Sequence, residues 1–586
     1  MNKKLRTKNT SDKNLFGIIK RSENMVNYGE GSRSPIIINY KNTYFKDIFE
    51  LVNSREMDEI ILDYISVIKK RNGKIAKYII RDKSIHQATS DFISCLKKLL
   101  IYEMEDINDE YLEDIDLFLK TFEDIYTYFR SRLKFSLIEL NDSMLTSKRF
   151  MDIDNHFNNL VLNFYRTIGE KVQGHANKVY RQLNPGSNAC ILLNNIEWPT
   201  GETYRKLAAI PFIDTIMLRS PLLVHPASNK REGSFDEIFE HPMKNFNESP
   251  ENWFCYPAKI GESLAYIYFH KDFIASGASL ANLFELANED EIRYKKPDLI
   301  CLFGMSTDTP GCKFYYDKYD DIFVGQVAYD KKAEYFGYIK KTCLTLHNVS
   351  MLKKGKLPIH GAMVAITLND GSVKNIAFLG DSGAGKSETI EALRMISEDQ
   401  IRDMDIIFDD MGSFYVENGE VYAKGTEIGA FVRLDDLESG AAYRDMDRSI
   451  FFNPETTNAR VIIPVSTYKE ITKGTKVDMF LYANNYDDKL GLHYFKDTKE
   501  AKPVFVEGKR RALGTTDEKG ISKTYFANPF GPQQKQEISE PLIDEIFDVL
   551  FKTKVRVGEI YTQLGISGTG EGIKESAKQL LEELYK

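Results

Sequence analysis

Nowhere in its 586 residues does the chain hold an uninterrupted apolar run long enough to cross a bilayer. The basic start, Met1-Asn-Lys-Lys-Leu-Arg-Thr-Lys8, leads into no apolar segment of the kind a secretory signal needs. Cysteine is scarce. Cys95, Cys190, Cys255, Cys301, Cys312 and Cys343 are scattered, with neither the spacing of a disulfide framework nor that of a metal knuckle. They read as reduced thiols, and the cytoplasm is the expected location. Positive charge is not in excess either. With 78 Lys and Arg against 86 Asp and Glu the net charge is −8, which implies no general affinity for nucleic acid.

What is there is the composition of an ordinary globular protein, 42% apolar and 28% charged. The length exceeds what one hydrophobic core supports, so two or three domains are expected. Residues 1–40 are polar and rich in Lys, Asn, Ser and Gly, and read as a tail. Over 41–184 the pattern is helical. Ile115, Phe118, Phe122, Ile125, Phe129 and Leu133 recur at steps of three and four and form one apolar stripe. That predicts an all-α N-terminal domain that packs on the remainder, on a protein partner or on a second copy.

Near Pro185-Gly186 the texture changes to short apolar runs between Gly, Pro and Asn turns, such as Ala189-Cys-Ile-Leu-Leu193 and Asp214-Thr-Ile-Met-Leu218. The segment 185–334 therefore reads as mixed α/β. A further α/β segment, 335–586, carries the recognisable chemistry.

Within it, Val373-Lys-Asn-Ile-Ala-Phe-Leu is an apolar strand, and Gly380-Asp381-Ser382-Gly383-Ala384-Gly385-Lys386-Ser387 fits the GxxxxGK[ST] pattern and opens an amphipathic helix. Glycines let backbone N–H groups wrap phosphates, and a helix N-terminus adds a favourable dipole. Lys386 suits β/γ-phosphates and Ser387 a Mg²⁺ ion. Further on, Ile406-Ile-Phe-Asp409-Asp410 is a strand ending in paired carboxylates, the place for acids that hold a metal in such sites.

Upstream lie Tyr335-Phe-Gly337-Tyr-Ile-Lys340-Lys341 and Leu357-Pro-Ile-His360-Gly. In this order the segments resemble the ATP-type phosphoenolpyruvate carboxykinases, in which a Tyr-x-Gly-x-x-Lys-Lys segment, a histidine, the glycine loop and an Asp-Asp pair follow one another. Leu218-Arg219-Ser-Pro221, Lys296-Pro-Asp-Leu-Ile300, Val421-Tyr-Ala-Lys424, Asn458-Ala-Arg460-Val-Ile-Ile-Pro464 and Phe505-Val-Glu-Gly508 through Gly520-Ile-Ser522 extend the likeness over roughly residues 185–586. The resemblance implies a two-lobed carboxykinase-like core, with a substrate lobe at 185–334 and a nucleotide and metal lobe at 335–586.

It also implies roles. Lys341, His360 and Asp410 would hold Mn²⁺, and Ser387 and Asp409 the Mg²⁺ of ATP. Arg219 and Arg460 would grip carboxylate and phosphoryl oxygens, and Tyr335 would position the substrate. The implied reaction converts oxaloacetate and ATP to phosphoenolpyruvate, CO₂ and ADP. Taken singly, Lys340-Lys341 reads as a solvated pair and His360 as a packed core histidine.

Several positions depart from the family pattern. Phe336 stands where a small residue is usual, Tyr338 replaces an acid, and Gly568-Thr-Gly570-Glu571-Gly572-Ile573-Lys574 lacks the arginine expected near the adenine. Two other functions compete. The loop is also close to that of the HPr kinases, which suggests a kinase acting on another small molecule or a protein. A non-catalytic nucleotide sensor signalling through the helical part is the alternative from another class.

Overall fold

The computed structural model describes residues 35–40, 45–71, 73–139, 147–180, 186–231, 235–307, 311–396, 400–434, 446–512, 520–566 and 571–586. The chain divides into two compact units, one of Met1–Asn194 with Ile213–Arg219, the other of Asn195–Phe212 with Ser220–Lys586.

The first unit joins long helices to a parallel sheet. Strands Ile36–Asn39, Lys134–Glu139 and Ala189–Asn194 pair in parallel, with Ile37 opposite Phe135 and Leu137 opposite Ile191. The expected stripe forms the helix Ile115–Ser131 except for Leu133, which lies past its end; the helix is capped by the Asp114 carboxylate, which accepts from Leu117 N. Its buried face stacks Phe118 between Phe92 and Phe122, ring centroids 5.8 and 6.1 Å apart. Fully burying such a ring contributes about 1.5–3 kcal/mol. Lys134 is buried just past this helix and donates to the carbonyls of Phe129 (3.1 Å) and Arg132 (2.6 Å) at its end, the first of which also accepts from Arg132 N.

The N-terminal part is thus not all-α. Ile36-Ile-Ile and Phe135-Ser-Leu-Ile make short strands buried on both faces, which leaves no alternation to read. The strand Ile36–Asn39 falls within the span expected to be a tail; residues 1–34 lie outside the described residues. The boundary expected after residue 184 falls at Asn194, and Ile213–Arg219 returns to the first unit.

The second unit is mixed α/β. One of its sheets runs Trp253–Ile260, Ser263–His270, Leu299–Met305, Ile322–Ala328, Cys312–Asp317 in order. Among the described residues it also has a four-stranded and a two-stranded sheet, and a second large sheet of eight strands. At its centre the histidine strand, Leu357–Leu368, pairs antiparallel with the acid strand, Ile401–Glu417, on one side and with the loop strand, Val373–Leu379, on the other. Alternation decides the faces. Val364, Ile366, Ile376 and Phe378 meet Leu393 and Leu580 of helices Lys386–Ile396 and Glu571–Leu584. Met363, Ala365 and Ala377 meet Phe505 and Phe547 of helices Thr498–Glu507 and Gln536–Lys552.

Between the two sheets runs the lysine helix, Gly337–Lys353, buried nearly all round and packed on Leu299–Met305, Ile322–Ala328 and the histidine strand. Because this helix packs on both sheets, residues 220–334 and 335–586 form one compact unit, not the two lobes expected to meet at 334/335.

Candidate active site

The loop Gly380–Ser387 links the loop strand to helix Lys386–Ile396, as the sequence predicts. Gly383 and Gly385 have φ of +77° and +101°, a region that favours glycine. A Cβ on Gly385 would lie 2.7 Å from Thr562 Cβ, and one on Gly380 would lie 2.8 Å from Ala384 Cβ. Two side chains remote in sequence pin the loop from outside. Asn485 Nδ2 donates to the Gly383 carbonyl at 3.0 Å, and Thr562 Oγ1 donates to that of Ala384 at 2.8 Å. Lys386 folds back and donates to the Asp381 carbonyl at 3.2 Å.

Asp381 plays a different part from its neighbours. Its carboxylate is committed to protein, accepting from Ser382 N (2.7 Å), Arg510 Nε (2.9 Å) and Thr524 Oγ1 (3.2 Å). Burial works against its charge, but His360 and Arg510 overcome this and hold the carboxyl below its ordinary range. Asp381 can therefore serve a phosphate only through its backbone, because its side chain would repel one.

The acid strand brings Asp409 and Asp410 beside the loop. Ser387 Oγ donates to Asp409 Oδ1 at 3.0 Å. Asp410 is the hub. Lys341 Nζ and Lys340 Nζ each lie 2.7 Å from its Oδ2, and His360 Nε2 is 3.1 Å from its Oδ1. Its backbone has φ +93°, a strained conformation for a non-glycine residue that costs about 1–3 kcal/mol and is typical of functional positions. Burial disfavours its charge, yet Lys340, Lys341 and His360 hold it well below the carboxylate range. Asp409 shifts the other way, raised by burial and by the neighbouring Asp410 charge.

Lys340-Lys341 is no solvated surface pair. Lys340 is fully buried between Asp410 and Glu427, its Nζ 2.9 Å from Glu427 Oε1. Burial opposes its charge, and the two carboxylates more than restore it. Lys341 is shifted down, first by burial and then by Lys340, against the pull of Asp410. That favours the free amine, the only form in which a lysine ligates a metal.

His360 is buried, but it is not merely packed. Its Nδ1 lies 2.7 Å from the Ala527 carbonyl and therefore carries a hydrogen, which turns the Nε2 lone pair toward Asp410 Oδ1. Two lone pairs facing at 3.1 Å call for a cation or a second proton between them. Lys341, His360 and Asp410 thus fit a divalent metal by donor chemistry. Among the described residues no group of three or more His, Cys, Asp or Glu is placed to hold a metal ion, and this set reaches three donors only when the lysine is counted.

On the acceptor side, Tyr335 is buried beside Phe431, ring centroids 6.1 Å apart. Burial raises its hydroxyl pKa against the nearby charges of Arg460, Lys340 and Arg231, so it stays a donor. Phe336 stacks on Phe452 at 5.3 Å and is fully buried, so its bulk goes into the core. Arg460 lies over the Phe431 ring at 5.7 Å. Arg219 belongs to the first unit, where its Nε donates to the buried Asp154 Oδ2 (2.8 Å) and its Nη2 to Asn155 Oδ1 (2.8 Å). Residues 568–570, the start of the segment expected near the adenine, lie outside the described residues.

Compared with known proteins, the chain matches no family model and no curated relative. What the site can do is read from its own atoms. Sequence reasoning missed Glu427, Asn485, Thr562, Arg510, Phe431 and Phe530, all brought in from positions distant along the chain; none sits in a local pattern that signals it.

Proposed function

We propose that the second unit is a nucleotide-dependent phosphoryl-transfer centre of the ATP-type phosphoenolpyruvate carboxykinase kind, taking oxaloacetate and ATP to phosphoenolpyruvate, CO₂ and ADP. The observation that carries this reading is the convergence of Lys341, His360 and Asp410, joined through the adjacent Asp409 to Ser387 of the glycine loop. Metal donors for an acceptor and for a nucleotide then adjoin, as transfer between the two requires.

In this reading the loop backbone and Lys386 take the β- and γ-phosphates, and Ser387 with Asp409 holds Mg²⁺. Lys341, His360 and Asp410 hold Mn²⁺. The divalent ions supply Lewis-acid stabilisation of oxygens that gain negative charge. Tyr335, kept protonated by burial, donates to an acceptor carboxylate, and Arg460 pairs with it. Little covalent work falls to the protein; fixed charges and orientation lower the barrier.

Arg219 favours a second reading, a kinase acting on another small molecule or a protein. The arginine meant to grip oxaloacetate is engaged by Asp154. A coupled assay with oxaloacetate, ATP or GTP, and Mn²⁺ separates the two. Phosphoenolpyruvate formed in proportion to nucleotide consumed supports the carboxykinase. Nucleotide consumption indifferent to oxaloacetate supports the kinase, and no nucleotide consumption at all sinks both.

A further inference from the structure

Two adjacent lysines approach one oxygen. Lys340 Nζ and Lys341 Nζ each lie 2.7 Å from Asp410 Oδ2. Lys341 and His360 pack against the Phe530 ring, whose centroid lies 4.6 Å from Lys341 Nζ and 6.1 Å from the His360 ring centre. Lys340 is not among the metal donors, and as an ammonium it competes with any divalent ion for Asp410. Its side chain is buried, so it cannot withdraw into water. A buried ammonium without a counter-charge is too costly to persist. Filling of the metal site therefore requires a second carboxylate within reach of Lys340.

Glu427 is that carboxylate. Its Oε1 lies 2.9 Å from Lys340 Nζ, and its side chain is buried as deeply. The backbone sets it beside the acid strand, where Gly425 pairs with Gly412. The Thr426 hydroxyl, 3.0 Å from the Met411 carbonyl and 3.3 Å from Glu427 Oε2, ties it to the residue after Asp410. Neither contact of the ammonium is a hydrogen bond, since Lys340 Nζ and Glu427 Oε1 are both buried with no hydrogen-bond partner. Lys340 is thus held between two carboxylates by charge, and a shift toward either one breaks no hydrogen bond.

We propose that Glu427 is a positioning residue that receives Lys340 when a divalent ion takes Asp410, so that the metal site fills without leaving a buried ammonium unpaired. This rests on the reading of Lys341, His360 and Asp410 as metal donors. It gives the two adjacent lysines opposite parts, Lys341 as a donor and Lys340 as the cation displaced. It also accounts for a buried carboxylate that approaches no donor of the set directly and meets it only through Lys340.

Calorimetric titration of the full chain with Mn²⁺, without nucleotide or oxaloacetate, tests this separately from turnover. Burial raises the Glu427 carboxyl to about 7 against the pull of Lys340, so titration at pH 8 finds it ionised. Binding heat that disappears in His360→Ala identifies the site. Glu427→Gln keeps the shape and removes the charge that receives Lys340, and Mn²⁺ affinity is expected to fall about tenfold. Adding Lys340→Met removes the competing ammonium and should return the affinity to within about threefold of the unaltered chain. A merely structural role for Glu427 predicts no such recovery, because the second substitution is one more change in the same core. If Glu427→Gln does not fold, Glu427→Asp, which draws the charge back by one methylene, should lower the affinity about threefold. Unchanged Mn²⁺ affinity overturns the proposal, as does a loss that Lys340→Met fails to restore. An unaltered chain with no Mn²⁺ binding at the His360 site removes the metal reading and the proposal with it. Fall and recovery in a chain that yields no phosphoenolpyruvate leave the role of Glu427 standing and remove the carboxykinase reading.

Discussion

Lys386 shows how far a single residue can be argued from its neighbourhood. Its ammonium folds back onto the Asp381 carbonyl while the Asp381 carboxylate is occupied by Arg510 and Thr524. Among the described residues it forms no direct ion pair that phosphates would have to break, although the charges of Asp381 and Asp409 lie near it. Lys386→Ala should lower turnover at least about a hundredfold, the scale for losing one electrostatic stabiliser, while the melting temperature stays nearly constant. Wild-type turnover in that variant, measured by nucleotide consumption, rules out phosphoryl transfer at this loop. The loop was legible in the sequence because its residues are contiguous and each glycine answers to local backbone geometry. Lys341, His360 and Asp410 were legible only through their order along the chain; their isolated readings pointed to surface and core. Glu427, Asn485 and Thr562 were not legible at all, since burial beside a lysine or a hydrogen bond to a loop carbonyl has no signature in one sequence.

At the scale of elements, period decided what could be read. The stripe from Ile115 to Phe129 became the expected helix because one face alone is apolar. Strands Ile36–Asn39 and Lys134–Glu139 escaped because parallel strands buried on both faces show a short apolar run with no alternation. The junction between that helix and the second of these strands carries a testable consequence. Lys134 is buried under the last turn of the helix, and burial, followed by the charges of Arg132 and Arg130, pulls its pKa down to about 7. Between about 7 and the ordinary lysine range the folded chain then binds fewer protons here than the unfolded one. Stability of the first unit should accordingly rise with pH across that window, by at most about 1.4 kcal/mol per pH unit. Lys134→Met should flatten the rise and lower stability through the loss of its hydrogen bonds to the Phe129 and Arg132 carbonyls. Chemical denaturation at pH 7, 8 and 9 reads both effects, and a slope that survives the substitution assigns it to other groups.

For the whole molecule, the class was legible and the partition was not. Mixed α/β character follows from helical periodicity and short apolar runs, each a local property. The partition depends on which core each segment joins, and Ile213–Arg219 joins the first unit although its chain neighbours on both sides join the second. The buried residues of the first unit's aromatic core come from positions between Ile36 and Leu192, with Met217 packed against them. Three core clusters of the second unit use none of these residues. Every candidate nucleotide and metal ligand also lies in the second unit. A chain beginning at Asn195 should therefore keep its three cores, unfold in one cooperative transition and bind ATP within about threefold of the full chain. Its weak point is Ile213–Arg219, whose apolar residues would be left without their unit and would favour association between copies. Calorimetry and light scattering of that chain test this together: cooperative unfolding with nucleotide affinity retained makes the first unit an accessory to the site, whereas loss of both makes its sheet part of what folds the site.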